Sequence, residues 1–357
     1  MLASPPNRLL TALEDMVKNI QIESQFCIRH PNYQPFTLPK AVTARLEQTP
    51  EAVTDQYLSL LLRNFLYGIY CNGSLQTTSP LANPTNLAPH QNLENNTVLG
   101  IDVQFYKHLH ASNCGTGYFD PGWQVLRQEA DGSLAVTKDG LMLHIERDCH
   151  LKFADRSPAV GDSVAIRMPH NLVQNGFYLA VGNAGWDNDT QTVQIYCNLT
   201  SEGAIALMGS LTQQLNAIDI PFKFKVLYNP SDYGRYDSGV LSLERGNYPA
   251  IRQIIQIIYL ENQSHFQHHV PLFAKLLAPG LAIAEVPHRP LEFVSQESFG
   301  MNCCQIVANG LLESWHKGDE SPDARMISIR QHFSQLGIEW QRPYLNPNSE
   351  DIYTPLD

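Results

Sequence analysis

The chain is most informative first in what it lacks. No apolar stretch in its 357 residues reaches the roughly 18 uncharged positions that a membrane-crossing helix needs, so neither a span nor a membrane anchor is expected. Positive charge is scarce: 24 Lys and Arg stand against 35 Asp and Glu, a formal charge of −11. That balance argues against a nucleic-acid surface, because phosphate contacts require a basic face. The seven cysteines (Cys27, Cys71, Cys114, Cys149, Cys197, Cys303 and Cys304) are an odd set without C-x-x-C spacing. They signal neither a disulfide framework nor a zinc site, and fit reduced thiols in a cytoplasmic protein. The opening residues hold Pro5, Pro6 and Asn7 where an export signal would carry a long apolar run. Also missing are G-x-S-x-G, G-x-x-x-x-G-K-[ST] and G-x-G-x-x-G, which removes support for serine-hydrolase, P-loop and dinucleotide-binding readings.

What is present reads as α+β. Leu9, Leu10, Leu13, Met16, Val17 and Ile20 recur at helical spacing, as do Leu58, Leu61, Leu62, Phe65 and Ile69. The stretch 72–97 turns to Asn, Thr, Ser and Pro and reads as a polar loop. The division expected is a helical N-terminal region over 1–100 and an α+β domain over 101–357. After a short helix at 101–111, Asp131-Gly132 and Asp139-Gly140 punctuate apolar segments as turns between antiparallel strands do. Strands are predicted near 123–128, 134–138, 141–146, 162–168, 176–182 and 192–198. A helix follows, capped by Thr200 and burying Ala204, Leu207, Met208, Leu211 and Leu215, and then a strand over 222–226. The remaining chain is expected to be mainly helical, over 248–264, 298–316 and 322–336.

The segment Phe222-Lys223-Phe224-Lys225-Val226 alternates, so both lysines share one strand face. Gln194, Tyr196 and Asn198 share a face of the preceding strand, and the two polar faces merge if these strands are neighbours. The loop from Tyr233 to Gly239 can hang Arg235, Tyr236 and Asp237 over the same surface. Two close ammonium groups repel and burial depresses a lysine further, which suits one of them to act as a base. A guanidinium binds oxyanions bidentately. Such a set suits an anionic substrate that loses a proton. The same alternation also describes an ordinary solvated strand, and Arg235 with Asp237 an ordinary surface ion pair. His265, His268 and His269 read as solvated histidines, Asp187 and Asp189 as a turn, and Cys303-Cys304 as buried inert thiols.

Eight ordered blocks over about 115–357 carry a resemblance. They include Gly161 to Pro169, Gly176 to Gly185, Glu202-Gly203-Ala204, Pro221 to Leu227, Tyr233 to Asp237, Pro271-Leu272-Phe273, Glu297 to Gly300 and Arg342 to Pro347. Together they resemble the HopA-type type III effector domain family, which takes in bacterial effectors and the lyase subunits of class V lanthipeptide biosynthesis. The strand–helix–strand segment is more distantly similar to phosphothreonine lyases. The resemblance implies a phospho-Ser/Thr lyase, without cofactor or metal, acting on a precursor peptide phosphorylated by an aminoglycoside-phosphotransferase-like kinase. By position it makes Lys225 the general base, Lys223 its electrostatic partner, Tyr196 the acid and Arg235 a phosphate clamp, with Arg167, Gln194, Tyr236 and Asp237 as further substrate-binding positions. Gln194 and Tyr196 stand where the lyases carry Lys and His, and Cys303 stands where an Arg is expected. Those departures keep open a non-catalytic peptide- or kinase-binding subunit, or an effector-like protein.

Overall fold

The computed structural model describes residues 5–77, 101–174, 176–186, 191–287 and 298–356. Most of the expected polar loop, together with Asn175, Asp187, Asp189 and Glu297, lies outside them. The α+β expectation holds. The N-terminal part contains α1 (Pro5–Asn19), three short strands β1 (Gln21–Ser24), β2 (Cys27–His30) and β3 (Tyr33–Thr37), then α2 (Lys40–Leu46) and α3 (Glu51–Leu66). A π-helical turn (Tyr67–Cys71) and α4 (Ser74–Thr77) follow. The β1–β3 sheet is an addition to the helical expectation. Each of its strands turns only one or two apolar residues inward, among them Ile22, Ile28 and Phe36, too few to establish a strand period in the sequence.

Next come α5 (Val103–Ser112), β4 (Tyr118–Gln128), β5 (Leu134–Lys138), β6 (Leu141–Ile145), α6 (Arg147–His150) and β7 (Ser163–Met168). Strands β6-β5-β4-β7 form a sheet with its own core of Trp123, Val125, Val136 and Ile166. Its β5–β6 hairpin turns on Asp139 and Gly140, both at positive φ (50° and 79°), as a two-residue hairpin requires.

The larger sheet is built from β8 (Asn171–Gln174), β9 (Phe177–Val181), β10 (Thr192–Cys197), β11 (Phe222–Leu227), β12 (Gly239–Glu244), β13 (Lys275–Ala278) and β14 (Leu281–Glu285). Its order is β13-β14-β10-β12-β11-β9-β8, and each neighbouring pair is antiparallel. Helix α7 (Ser201–Ala217), with Thr200 accepting from the Gly203 N–H, crosses from β10 to β11. The chain closes with α8 (Tyr248–Glu261), α9 (Phe299–His316) and α10 (Pro322–Gln335). Ser321 caps α10 as the sequence indicates.

Alternation along the strands sorts the two faces. Val193, Ile195, Phe222, Phe224, Leu241 and Leu243 pack with α5, α7 and α8. Tyr196, Val240, Ala282 and Ala284 lie on the opposite face, within the core that α1, α3, α9 and α10 share. Helices from both ends of the chain therefore cover the β10, β12 and β14 part of the face that carries the lysines, while Lys223 and Lys225 on β11 stay partly exposed. Among the described residues, no helix is long and apolar enough to cross a membrane.

Buried Glu285, at the end of β14, fastens the C-terminal segment to this sheet. Its carboxylate accepts from Arg245 Nε (2.8 Å), the Asn346 N–H (2.8 Å), Ser349 Oγ (2.6 Å) and the Tyr353 hydroxyl (2.8 Å). Burial alone would raise this carboxyl, but the donors outweigh it and hold it below the ordinary 4.5. A lowered folded value means that the stabilisation is complete above 4.5 and is lost as the pH falls towards the folded value. Glu285→Ala strands these donors and is expected to cost about 3–5 kcal/mol, measured by urea unfolding at neutral pH. The deficit relative to the parent chain should shrink in acid.

Candidate functional site

Strands β10 and β11 are not neighbours: β12 lies between them, and the sequence reading missed it. Lys223 pairs with Ser242, which pairs with Gln194, while Lys225 pairs with Val240, which pairs with Tyr196. Directly paired residues project to one side, so the two polar faces do join, but across an intervening strand and a backbone separation of about 10 Å. Ser242 and Val240 are small enough to leave that surface low. Lys223, Lys225, Gln194 and Tyr196 thus share a face without forming one compact cluster.

Two aromatic rings receive the lysines. Lys225 Nζ stands 4.8 Å from the Phe177 ring centroid and Lys223 Nζ 4.7 Å from that of Trp186. Arg235 shares the Phe177 ring, with Cζ at 5.9 Å. Phe177 reaches this position because it pairs with Leu227 and so points to the lysine side of the sheet. Desolvation lowers both ammonium groups, Lys223 to about 8. At Lys225 the same loss of water is partly opposed by Asp237 and reinforced by Arg235.

The Tyr233–Gly239 loop is stitched down at several points. Tyr233 donates to the Leu227 carbonyl at 2.7 Å, and Ser238 Oγ accepts from the Leu199 N–H at 2.8 Å. Between them Arg235 makes a fork to Asp237, Nε to Oδ1 and Nη2 to Oδ2, both at 2.9 Å. Asp237 is 6% exposed, which distinguishes this pair from a solvated surface bridge. Tyr67, at the start of the π-helical turn, donates to Asp237 Oδ2 at 2.7 Å. Burial pushes the Asp237 carboxyl up, but Arg235 and Tyr67 outweigh it and hold it below the carboxylate range. Arg235 is desolvated too, yet Asp237 raises its pKa.

Tyr196 is buried and donates to Gln194 Oε1 at 2.7 Å. Burial, then the nearby Asp237 charge, drives its phenol well above the ordinary tyrosine range, so it stays protonated. Tyr236 turns towards the N-terminal part: its N–H donates to the Asn72 carbonyl at 2.9 Å and its ring lies 5.3 Å from that of His269. A Cβ on Gly73, which has φ +70°, would stand 2.5 Å from the Tyr236 ring, so only glycine admits this contact. Arg167 is placed elsewhere, exposed on β7 of the four-stranded sheet, with Nη2 donating to the Thr116 carbonyl at 2.9 Å. Cys303 and Cys304 are buried, as read from the sequence. Tyr67, Phe177, Trp186 and Ser242 escaped sequence reasoning, and only strand alternation could have pointed to Phe177.

A family model described as the HopA1 effector protein family matches residues 168–345. Among solved structures, the effector protein from Pseudomonas syringae pv. tomato strain DC3000 is similar at 18% identity and a TM-score of 0.38, over 48% of this chain and 63% of that one. The chain therefore spans less than two thirds of that structure. The effector protein from Pseudomonas syringae pv. syringae strain 61 is similar at 12% identity and a TM-score of 0.43, over 96% of this chain and 99% of that one. No curated protein matches. The resemblance read from the ordered blocks thus holds over 168–345, which include Gln194, Tyr196, Lys223, Lys225, Arg235, Tyr236 and Asp237. Tyr67 and Arg167 fall outside it.

Desolvated lysines carry a stability signature. The native state binds fewer protons than the unfolded chain between the lowered lysine value, about 8 for Lys223, and the ordinary 10.5, so stability rises with pH across that window. Lys223→Met is expected to melt above the parent at pH 7, with the advantage vanishing towards pH 10.5, as scanning calorimetry at the two pH values would read. An unchanged or lower melting temperature at pH 7 contradicts the assigned desolvation.

Proposed function

We propose that this HopA1-family segment is a phospho-Ser/Thr lyase, and that its substrate is a ribosomal precursor peptide phosphorylated by an aminoglycoside-phosphotransferase-like kinase. The observation that carries the reading is Lys225: a lysine lowered by desolvation, on the Phe177 wall beside the Arg235–Asp237 fork. In its neutral form Lys225 takes the α-proton of the phosphorylated residue. The electron pair of the Cα–H bond becomes the Cα–Cβ double bond, the Cβ–O bond breaks, and phosphate departs with the electron pair of the Cβ–O bond. Dehydroalanine or dehydrobutyrine remains. Tyr196, kept protonated by burial, donates to the departing oxygen. Arg235 stabilises the developing charge through guanidinium N–H groups beyond the two in its fork with Asp237. Elimination breaks a carbon–oxygen bond at carbon, so the scheme calls for no activated water and no metal to generate one.

A second reading is favoured by the same pairings. Arg235 is tied to Asp237 and Gln194 to Tyr196, which limits the charge available to a leaving phosphate. A subunit of that kind would hold a phosphopeptide, or the kinase, without turnover.

The test is mass spectrometry of phosphothreonine and phosphoserine peptides incubated with the protein and with Lys225→Ala, without added metal. Loss of the elements of phosphoric acid is expected, slowed about 10²- to 10⁴-fold in the variant. The parent rate should climb with pH and level off below the ordinary lysine value of 10.5, because burial lowers Lys225. Elimination at full rate by Lys225→Ala removes Lys225 from the mechanism. Phosphopeptide binding without elimination supports the second reading.

A further inference from the structure

Helix α3 buries Leu58, Leu61, Leu62, Phe65 and Leu66 and then widens into the π turn, closed by the Asn72 N–H donating to the Tyr67 carbonyl at 3.0 Å. Both ends of this turn grip the loop that carries Arg235. At the first, the Tyr67 hydroxyl donates to Asp237 Oδ2, the oxygen that also accepts Arg235 Nη2. At the other, the Asn72 carbonyl accepts the Tyr236 N–H, and Gly73 makes room for the Tyr236 ring. A single fork between Arg235 and Asp237 would leave both free to swing together about their side-chain torsions. A third partner on Oδ2, fixed to a separate helix, removes that freedom.

We propose that Tyr67 is a positioning residue of the Lys225 site. By holding Asp237 Oδ2 it fixes the plane of the Arg235–Asp237 fork beside Lys225, which makes the N-terminal π turn, outside residues 168–345, a working part of the site. The proposal rests on the reading of the lysine face as functional, but its first measurement needs no turnover. Tyr70 supplies the control: it lies on the same π turn and donates to a different carboxylate, Asp15.

The experiment labels the full chain with phenylglyoxal and follows adduct formation at Arg235 by peptide mass spectrometry, in the parent, Tyr67→Phe and Tyr70→Phe. Loss of a charge-assisted hydrogen bond is expected to accelerate labelling of Arg235 about fivefold or more in Tyr67→Phe and by less than about twofold in Tyr70→Phe. Equal rates in all three chains, or equal acceleration in both variants, overturn the proposal, since a merely structural turn would loosen alike from either position. Should Tyr67→Phe fail to fold, Tyr67→3-fluorotyrosine keeps the shape with a stronger donor. It is expected to slow labelling about twofold, and no change overturns the proposal. Where the parent eliminates phosphate, Tyr67→Phe should lower kcat about tenfold with a smaller change in KM, and an unaltered kcat overturns the proposal. Absence of elimination in the parent would count against the lyase reading alone, because the labelling comparison stands without it.

Discussion

The buried carboxylate of Asp237 is the constraint around which the rest of the site is arranged. A carboxylate removed from water costs several kcal/mol unless its lone pairs are met and its charge is opposed. Here Arg235 opposes the charge with two hydrogen bonds and Tyr67 meets a further lone pair. Those partners come from elements far apart in sequence, Tyr67 lying 170 positions before Asp237. Satisfying one side chain therefore sets the height of the Tyr233–Gly239 loop over the sheet and docks the end of α3 against it. It also places Arg235 on the Phe177 ring that Lys225 already occupies.

How much of this was legible in the sequence follows from how local each signal is. Alternation in Phe222 to Val226 identifies both lysines as sharing a face because side-chain direction along a strand depends on nothing outside the strand. The caps at Thr200 and Ser321 are readable for the same reason. Strand β14 was not: Leu281–Glu285 is buried on both faces, so it carries no alternation and blends into a segment expected to be helical. Strand β12 follows the Arg235 loop directly, and its slot between β10 and β11 is a matter of pairing, to which periodicity is blind. The four- and five-residue strands β1–β3 are too short to show a period. Tyr67 is the least legible of all, since a polar tip at the end of an apolar helix looks the same whether it meets solvent or a distant carboxylate.

One physical cause, burial, acts on the two ends of the proposed proton pathway in a complementary way. Desolvation disfavours whichever form is charged, so it lowers an ammonium and raises a phenol. Lys225 is pushed towards its neutral, proton-accepting form, and Tyr196 is held in its neutral, proton-donating form. The neutral amine and the neutral phenol are thus favoured by one cause on the same sheet face, with β12 between them, and the proposed elimination draws on both. Asp237 trims this arrangement: it draws Lys225 back towards its charged form and drives the Tyr196 phenol further up. Arg235, by pairing with Asp237, limits the first effect and adds its own repulsion to the lysine. Asp237 and Arg235 therefore act on Lys225 in opposite senses, and the hydroxyl that Tyr67 donates to Asp237 bears on the lysine through that pair.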